Sequence, residues 1–275
     1  MGNLFRAFFF KLRKDLTFRI TLIVGAAVAV MMMVIFLLID YAVGSSEYGY
    51  KFCTGQTMYL VSFTPTSNFG LAIPINLITF TVLEFSHGII RNKIIAGNSK
   101  FKIYFGLFLS GLVFALSLLF TYVGLCCLLG TICGGFDPNG ITMASLGSSG
   151  SAGICSPEFI GKTTVIAVLV YISITSFTVF VSTLLRNVGP SIPLTILPLI
   201  LLAIIGPVLY AVVPESRDAL MFLNPIQVLA SPEITSHGKL IVSDLQFAGG
   251  IVSNLGYTGI FFGFGSLIFI KRDVK

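Results

Sequence analysis

From Ile20 to Ile39 the chain runs for 20 residues without a charge, with Arg19 before the run and Asp40 after it. A helix of that length spans about 30 Å, the thickness of the hydrocarbon core of a bilayer. Inside that core no water is available to satisfy backbone N–H and C=O groups, so a run of this kind must fold as a helix. Five more apolar runs follow. Expected spans are 18–43, 69–86, 103–133, 163–185, 191–213 and 248–270, which predicts an all-α integral membrane protein with six transmembrane helices in a single domain over 1–275. With 55% of residues hydrophobic and 10% charged, no large catalytic domain fits outside the membrane.

The six runs differ in character. The second carries Pro74, Asn76 and Glu84, which leaves a re-entrant or partly solvated segment as the alternative. The third is longer than a bilayer requires and should project from one face. An Ala-Val-Ala string at Ala27–Ala29 lies mid-run in a segment longer than a signal-peptide core, so the first helix is expected to be retained.

Basic residues fix the expected orientation. With the N-terminus inside, thirteen of the 17 Lys and Arg residues fall on the inner face, and only Lys51, Lys162, Arg217 and Lys239 fall outside. Positive charge collects on the cytoplasmic side, so a multi-pass protein of the cytoplasmic membrane is predicted, with both termini cytoplasmic. The net charge of +6 is then a consequence of topology, and no nucleic-acid partner is needed to explain it.

Residues 1–17 read as an amphipathic helix lying in the membrane interface. At 100° per residue, Leu4, Phe5, Phe8, Phe9, Leu12 and Leu16 share one arc of about 140°, while Arg6, Lys11, Arg13 and Lys14 occupy the rest. The apolar face would enter the headgroup boundary and the cations would meet anionic lipid. Phe10 falls on the wrong face, and a plain basic flank without regular structure is the alternative.

Several chemistries find no support. Gly161-Lys162-Thr163 looks like the end of a phosphate-binding loop, but the Gly required five positions earlier is Ser156, and the segment precedes an outer-facing span end rather than following a cytoplasmic strand. No Gly-x-Ser-x-Gly turn or His-x-x-x-His pair occurs, so the chain is not expected to be an enzyme, nor to carry a cofactor or a metal. Cys126 and Cys127 lie inside the third span. Cys53, Cys133 and Cys155 fall outside, where Cys133 and Cys155 bracket a Gly/Ser-rich loop that a disulfide would close; free thiols are the alternative.

The stretch from Glu84 to Tyr104 stands out. If the second span continues as a helix, Asn76, Thr79, Glu84, His87 and Arg91 share an arc of about 140°, a polar stripe running from mid-membrane to the cytoplasm. Glu84 in lipid would cost about 2–3 kcal/mol unpaired, so it should pair with His87, Arg91 or a neighbour. A short apolar and basic element follows, ended by Gly97, Asn98 and Ser99. It reads as a small docking helix, against the simpler reading of a solvated basic anchor loop.

With Glu84, Gly88, Arg91-Asn92-Lys93, Gly97-Asn98-Ser99-Lys100 and Ile103-Tyr104 in this order, the chain resembles the permease subunits of type 2 ATP-binding cassette exporters, a group that includes bacterial antibiotic, bacteriocin and sodium exporters. The resemblance covers about 20 residues closely and, through length, span number and the N-terminal helix, the whole chain loosely. It implies that 87–102 is a cytoplasmic coupling loop seated in a groove of a separate nucleotide-binding ATPase subunit, which holds ATP and Mg. It also implies that a second permease copy or a related permease completes the path. The coupling residues are then Glu84, His87, Gly88, Arg91, Asn92, Lys93, Gly97, Ser99 and Lys100. Pro214 to Gly249, with Leu223-Asn224-Pro225 and Gln227, resembles more loosely the short outer helices of that family.

Other features bear on transport. Asn76, Thr79, Thr175, Thr178 and Ser182 are the candidate substrate path. With Thr164, the three hydroxyl residues of the fourth span lie within about 60° of one face, which suits either a helix interface or a hydrated path. Pro193, Pro198 and Pro207 suggest a kinked fifth span, and Gly259 with Gly263 a close-packing face within the subunit or between subunits. Short outer loops and phenylalanine-rich spans suit an amphiphilic or hydrophobic cargo such as a peptide, antibiotic or drug-like molecule more than a large polysaccharide, with small ions as an alternative, and the resemblance to exporters implies outward movement. The competing classes are a transporter or channel driven by an ion gradient through Glu84 and Asp40, and a non-transporting membrane anchor or sensor.

Overall fold

The computed structural model describes residues 6–7, 10–11, 14–43, 51–63, 71–137, 141–143, 152–212, 233–234 and 239–272. Helices dominate them: α1 (Leu16–Val43), α2 (Gly55–Ser62), α3 (Ala72–Ser86), α4 (Ile89–Ile95), α5 (Lys100–Gly134), α6 (Pro157–Leu185), α7 (Val188–Val212) and α8 (Asp244–Lys271). Two small antiparallel pairs lie in the loops, β1 (Ile141–Met143) with β2 (Ala152–Ile154) and β3 (Glu233–Ile234) with β4 (Leu240–Ile241). Among the described residues four helices, α1, α5, α6 and α8, are long and apolar enough to cross a membrane. A fifth span is added if α3 and α4, which meet at a bend of 54°, count as one. The chain is thus compatible with a multi-pass membrane protein. The expected fifth run, 191–213, coincides with α7 as far as Val212, and position 213 lies outside the described residues.

Helix α6 is the hub, touching α8, α3, α5 and α7. Its border with α8 is polar as well as apolar: the Ser173 hydroxyl reaches Asn254 Oδ1 at 3.1 Å, and that of Ser176 donates to the Thr258 carbonyl at 3.1 Å. Asn254 is fully buried. Each such interhelical bond is worth about 0.6 kcal/mol in a membrane, but it fixes which faces meet. Aromatic side chains fill the remaining space, with Phe114 between Phe18 and Phe80, and Tyr104 against Phe262 and Phe269.

Helix ends are closed locally. Asp15 Oδ1 accepts from the Thr17 N–H at 2.8 Å to start α1, and Ser243 with Gln246 forms a capping box on α8. At one end of the bundle Lys100 donates to the carbonyls of Ile270 and Arg272, and Arg272 donates to the Leu184 carbonyl, so the ends of α5, α6 and α8 are tied together. At the other end Lys162 bridges Glu158 at 2.8 Å and Asp244 at 2.7 Å, joining α6 to α8.

Helix α2 has no counterpart in the sequence reading, which places no element between the first two spans. It is buried along nearly its whole length and packs on the last turns of α5. Glycines make this approach possible. A Cβ at Gly130 would lie 2.7 Å from Met58 Cγ and 2.8 Å from the Thr54 carbonyl oxygen, and one at Gly134 would overlap the Cys53 carbonyl. The Gly259–Gly263 face, by contrast, meets nothing within 4 Å, so within the chain the close approaches of α8 are made by Gly250 on Ile166 and Gly265 on Tyr104.

Gly134→Val should therefore force α2 away from α5 and lower stability by about 2 kcal/mol or more, as overpacked sites do. Gly124→Val, where open space surrounds the glycine, should stay within about 1 kcal/mol, the helix-propensity scale. Thermal unfolding of both variants in detergent micelles checks the contrast.

Candidate functional site

Helix α3 stops just after the buried Glu84, and Gly88 bends the chain. The His87 and Gly88 N–H groups fold back on the Leu83 and Phe85 carbonyls, and Gly88 takes φ 65°, a left-handed conformation that side-chain-bearing residues resist. Asn92 N–H then bonds the Gly88 carbonyl and opens α4, bent 54° from α3. Gly97, at φ 83°, ends α4, and the Asn98 side-chain amide and N–H both return to the Lys93 carbonyl. The punctuation expected from Gly97-Asn98-Ser99 is what closes this helix, and Ser99 is the N-cap residue of α5.

The Glu84 side chain is completely buried, with Lys11 Nζ 2.5 Å from Oε1 and Lys93 Nζ 2.8 Å from Oε2. Two ammonium groups thus converge on one carboxylate, each oxygen taking one cation. The Lys11 ammonium also lies 5.0 Å from the centre of the Phe80 ring. Burial in a low dielectric makes the carboxylate costly without partners and its attractions strong with them. The site therefore welds three pieces of chain, the N-terminal segment, α3 and α4.

Of the expected partners, His87, Arg91 or a neighbour, it is a neighbour, Lys93, that pairs with Glu84, together with the distant Lys11. The bend at Gly88 breaks the continuous stripe: His87 becomes an exposed C-cap residue, and Arg91 faces outward on α4. Helix α4 is two-sided. Ile90 is buried and Ile94 and Lys93 are half-buried, while Arg91, Asn92 and Ile95 project, Ile95 at 73% exposure. Lys100, grouped with the coupling residues, clamps the end of α8 instead of projecting from α4. Residues 6, 7, 10, 11 and 14 are helical; of the expected apolar arc only Leu16 is described, and Leu4, Phe5, Phe8, Phe9 and Leu12 lie outside the described residues. Lys11, expected to meet lipid headgroups, is turned inward to Glu84. No sequence signal links residues 73 positions apart, so Lys11 was not foreseen.

The candidate path residues sit in packing. Asn76, Thr79, Thr175, Thr178 and Ser182 each bond a carbonyl one turn back on their own helix, and Thr175, Thr178 and Ser182 are buried. Thr175 packs toward Gly111 of α5. An apolar cavity of about 140 Å³ opens elsewhere, between α6, α7 and α8, lined by Ser173, Phe177, Pro198, Leu199, Tyr257 and Phe261. Asp40, the other acidic residue of an ion-driven reading, is engaged by backbone donors: its two oxygens accept from the Phe52 and Cys53 N–H groups at 2.5 and 2.8 Å. The segment 214–232 and its Leu223-Asn224-Pro225 motif lie outside the described residues. Among those residues no group of three or more His, Cys, Asp or Glu side chains could hold a metal.

Set against protein-family models, characterised proteins and solved structures, the chain matches none of them.

Removing one partner of a buried pair leaves the other charge uncompensated, which costs about 3–5 kcal/mol. Glu84→Met should accordingly destabilise the protein on that scale, and Lys93→Met somewhat less, because Lys11 remains. The double variant should fall short of the sum by at least about 1 kcal/mol, the coupling expected of residues in contact. Arg91→Met should stay within about 0.5 kcal/mol. Unfolding titrations in mixed micelles of detergent and lipid, run as a double-mutant cycle with Arg91→Met beside it, read all four values.

Proposed function

We propose that the protein is the membrane-spanning permease subunit of an ATP-driven exporter, with six spans contributed by α1, α3, α5, α6, α7 and α8 and both termini in the cytoplasm. A separate nucleotide-binding subunit hydrolyses ATP, and a second copy or a related permease completes the path. One observation carries this reading. A seven-residue helix, α4, is set at an angle to the span before it, anchored from within by Lys93 on Glu84, and presents Arg91, Asn92 and a largely exposed Ile95 outward. A solvated anchor loop needs neither a buried ionic foot nor an exposed isoleucine at its tip. A lever that receives a push needs both: a face for the partner and a rigid link to the spans.

The motif order from Glu84 to Tyr104 supports the same assignment. The absence of a phosphate-binding loop in the sequence supports a partner as the site of ATP hydrolysis. The thirteen-to-four split of basic residues supports the orientation. The apolar cavity between α6, α7 and α8 suits an amphiphilic or hydrophobic cargo moved outward. In the mechanism that follows, closure of the ATPase dimer displaces α4. The Glu84 centre transmits that displacement to α3 and to the N-terminal segment at once, and Ser99 passes it to α5.

Arg91→Glu or Ile95→Glu should reduce co-purification of the ATPase subunit at least about tenfold, since a reversed rim charge or a charge in an apolar contact costs more than about 1.4 kcal/mol. The permease should still insert and unfold as the parent does. Loss of neither binding nor transport in both variants would remove α4 as the docking element. For orientation, single cysteines at Asn98 and Asp137 on a cysteine-free background should separate cleanly. An impermeant maleimide applied to intact cells should label the one at 137 and spare the one at 98; labelling at 98 overturns the topology.

A further inference from the structure

All five cysteines are thiols in the structure, yet two of them are brought together from 80 positions apart. Cys53 lies just before α2, and its N–H is held by Asp40 Oδ2 at 2.8 Å. Cys133 lies in the last turn of α5, where Gly134 allows the Cys53 backbone to come against the helix. The two side chains are within hydrogen-bonding reach of each other, and both line a cavity of about 250 Å³ with Leu37, Asp40, Tyr41 and Lys51. Their surroundings are unequal: Cys53 is 1% exposed and Cys133 is half-buried. The remaining cysteines do not share this place. Cys126 is buried two turns deeper in α5, beside Tyr122, and the Cys155 thiol donates to the Ser156 carbonyl.

We propose that Cys53 and Cys133 are joined as a disulfide on the outer side of the membrane, formed by exchange with the disulfide of a thiol oxidoreductase. The proposal rests on the orientation given above, which puts both residues in an oxidising compartment. Cys133, the accessible thiol, attacks first: its thiolate bonds to one sulfur of the oxidant and expels the other as a thiolate. The Cys53 thiolate then attacks Cys133 Sγ and expels the oxidant's second thiolate. Two thiols lose two protons and two electrons, and the oxidant's disulfide leaves as a dithiol. The order follows from the site. Burial, the neighbouring Cys133 and the Asp40 carboxylate push the Cys53 thiol up to about 12, so it is poorly suited to open the exchange. The bond would pin the segment before α2 to α5 at a point already held to α1 by Asp40. It would also close a loop containing α3 and α4, so that motion of α4 works against a fixed outer end.

The test uses the full-length chain with Cys126, Cys127 and Cys155 changed to Ser, expressed in its own membrane. Free thiols are blocked with N-ethylmaleimide in denaturant, and the sample is then reduced and treated with polyethylene-glycol maleimide. Two adducts after reduction and none without it are expected, with at most one thiol, and none released by reduction, in Cys53→Ser or Cys133→Ser. Purified protein exposed to oxidised glutathione should give the same two adducts. Failure to form the bond both in cells and with glutathione overturns the pairing. A bond formed only by the purified protein overturns the disulfide in the membrane. Labelling of Cys133 in Cys53→Ser cells by an impermeant maleimide then separates the causes: a labelled thiol leaves the orientation standing, and an unlabelled one removes the orientation as well.

Discussion

A carboxylate with no exposure to solvent, held between two ammonium groups, sets the arrangement of one end of this molecule. A buried carboxylate without partners is costly in an apolar bundle, and Lys11 and Lys93 supply the partners that Glu84 needs there. Three segments that no local force would bring together are fixed by that requirement. The bend at Gly88 follows from the same geometry, since a straight continuation of α3 would carry Lys93 away from the carboxylate. A 54° bend through a left-handed glycine brings it back, and the outward face of α4 is what that bend leaves exposed.

The other end is built differently. Two acidic residues there are engaged by structure: Asp40 accepts from the backbone before α2, and Asp244 holds Lys162. Glycines add a second means of close approach beside the Lys162 ion pairs, with Gly130 and Gly134 admitting α2 against α5. Between the two ends the bundle relies on hydroxyl and amide contacts along α6 and α8, which specify register where hydrophobic contrast with lipid tails offers no driving force. A lever clamped by charge at one end and by packing at the other can tilt spans only as connected bodies, which is the mechanical content of the proposed coupling.

How much of this was legible depends on the range of the forces involved. The uncharged run from Ile20 to Ile39 announced α1, because a span is a property of consecutive residues. Gly97-Asn98-Ser99 announced the end of α4 for the same reason. The need of Glu84 for a nearby partner is legible, and Lys93 meets it, but Lys11 is not, because it lies 73 positions away and periodicity compares only near neighbours. His87 and Arg91 were the natural choices on an unbroken helix, and one positive φ at Gly88 removed them. Helix α2 escaped because eight residues of mixed polarity carry no span signal, although their burial makes them part of the core. Asn254 and the Cys53–Cys133 approach are consequences of assembly and leave no local mark.

The central claim is that the outward face of α4 is where an ATPase pushes. A photoreactive amino acid placed at Asn92 in the full-length chain, activated in living cells and followed by mass spectrometry of the crosslinked product, addresses it without purification or overexpression of a partner. A nucleotide-binding subunit should be the crosslinked protein, and the yield should change when ATP hydrolysis is arrested. Crosslinks from position 92 to lipid alone, or to an outer-face protein, would contradict the account.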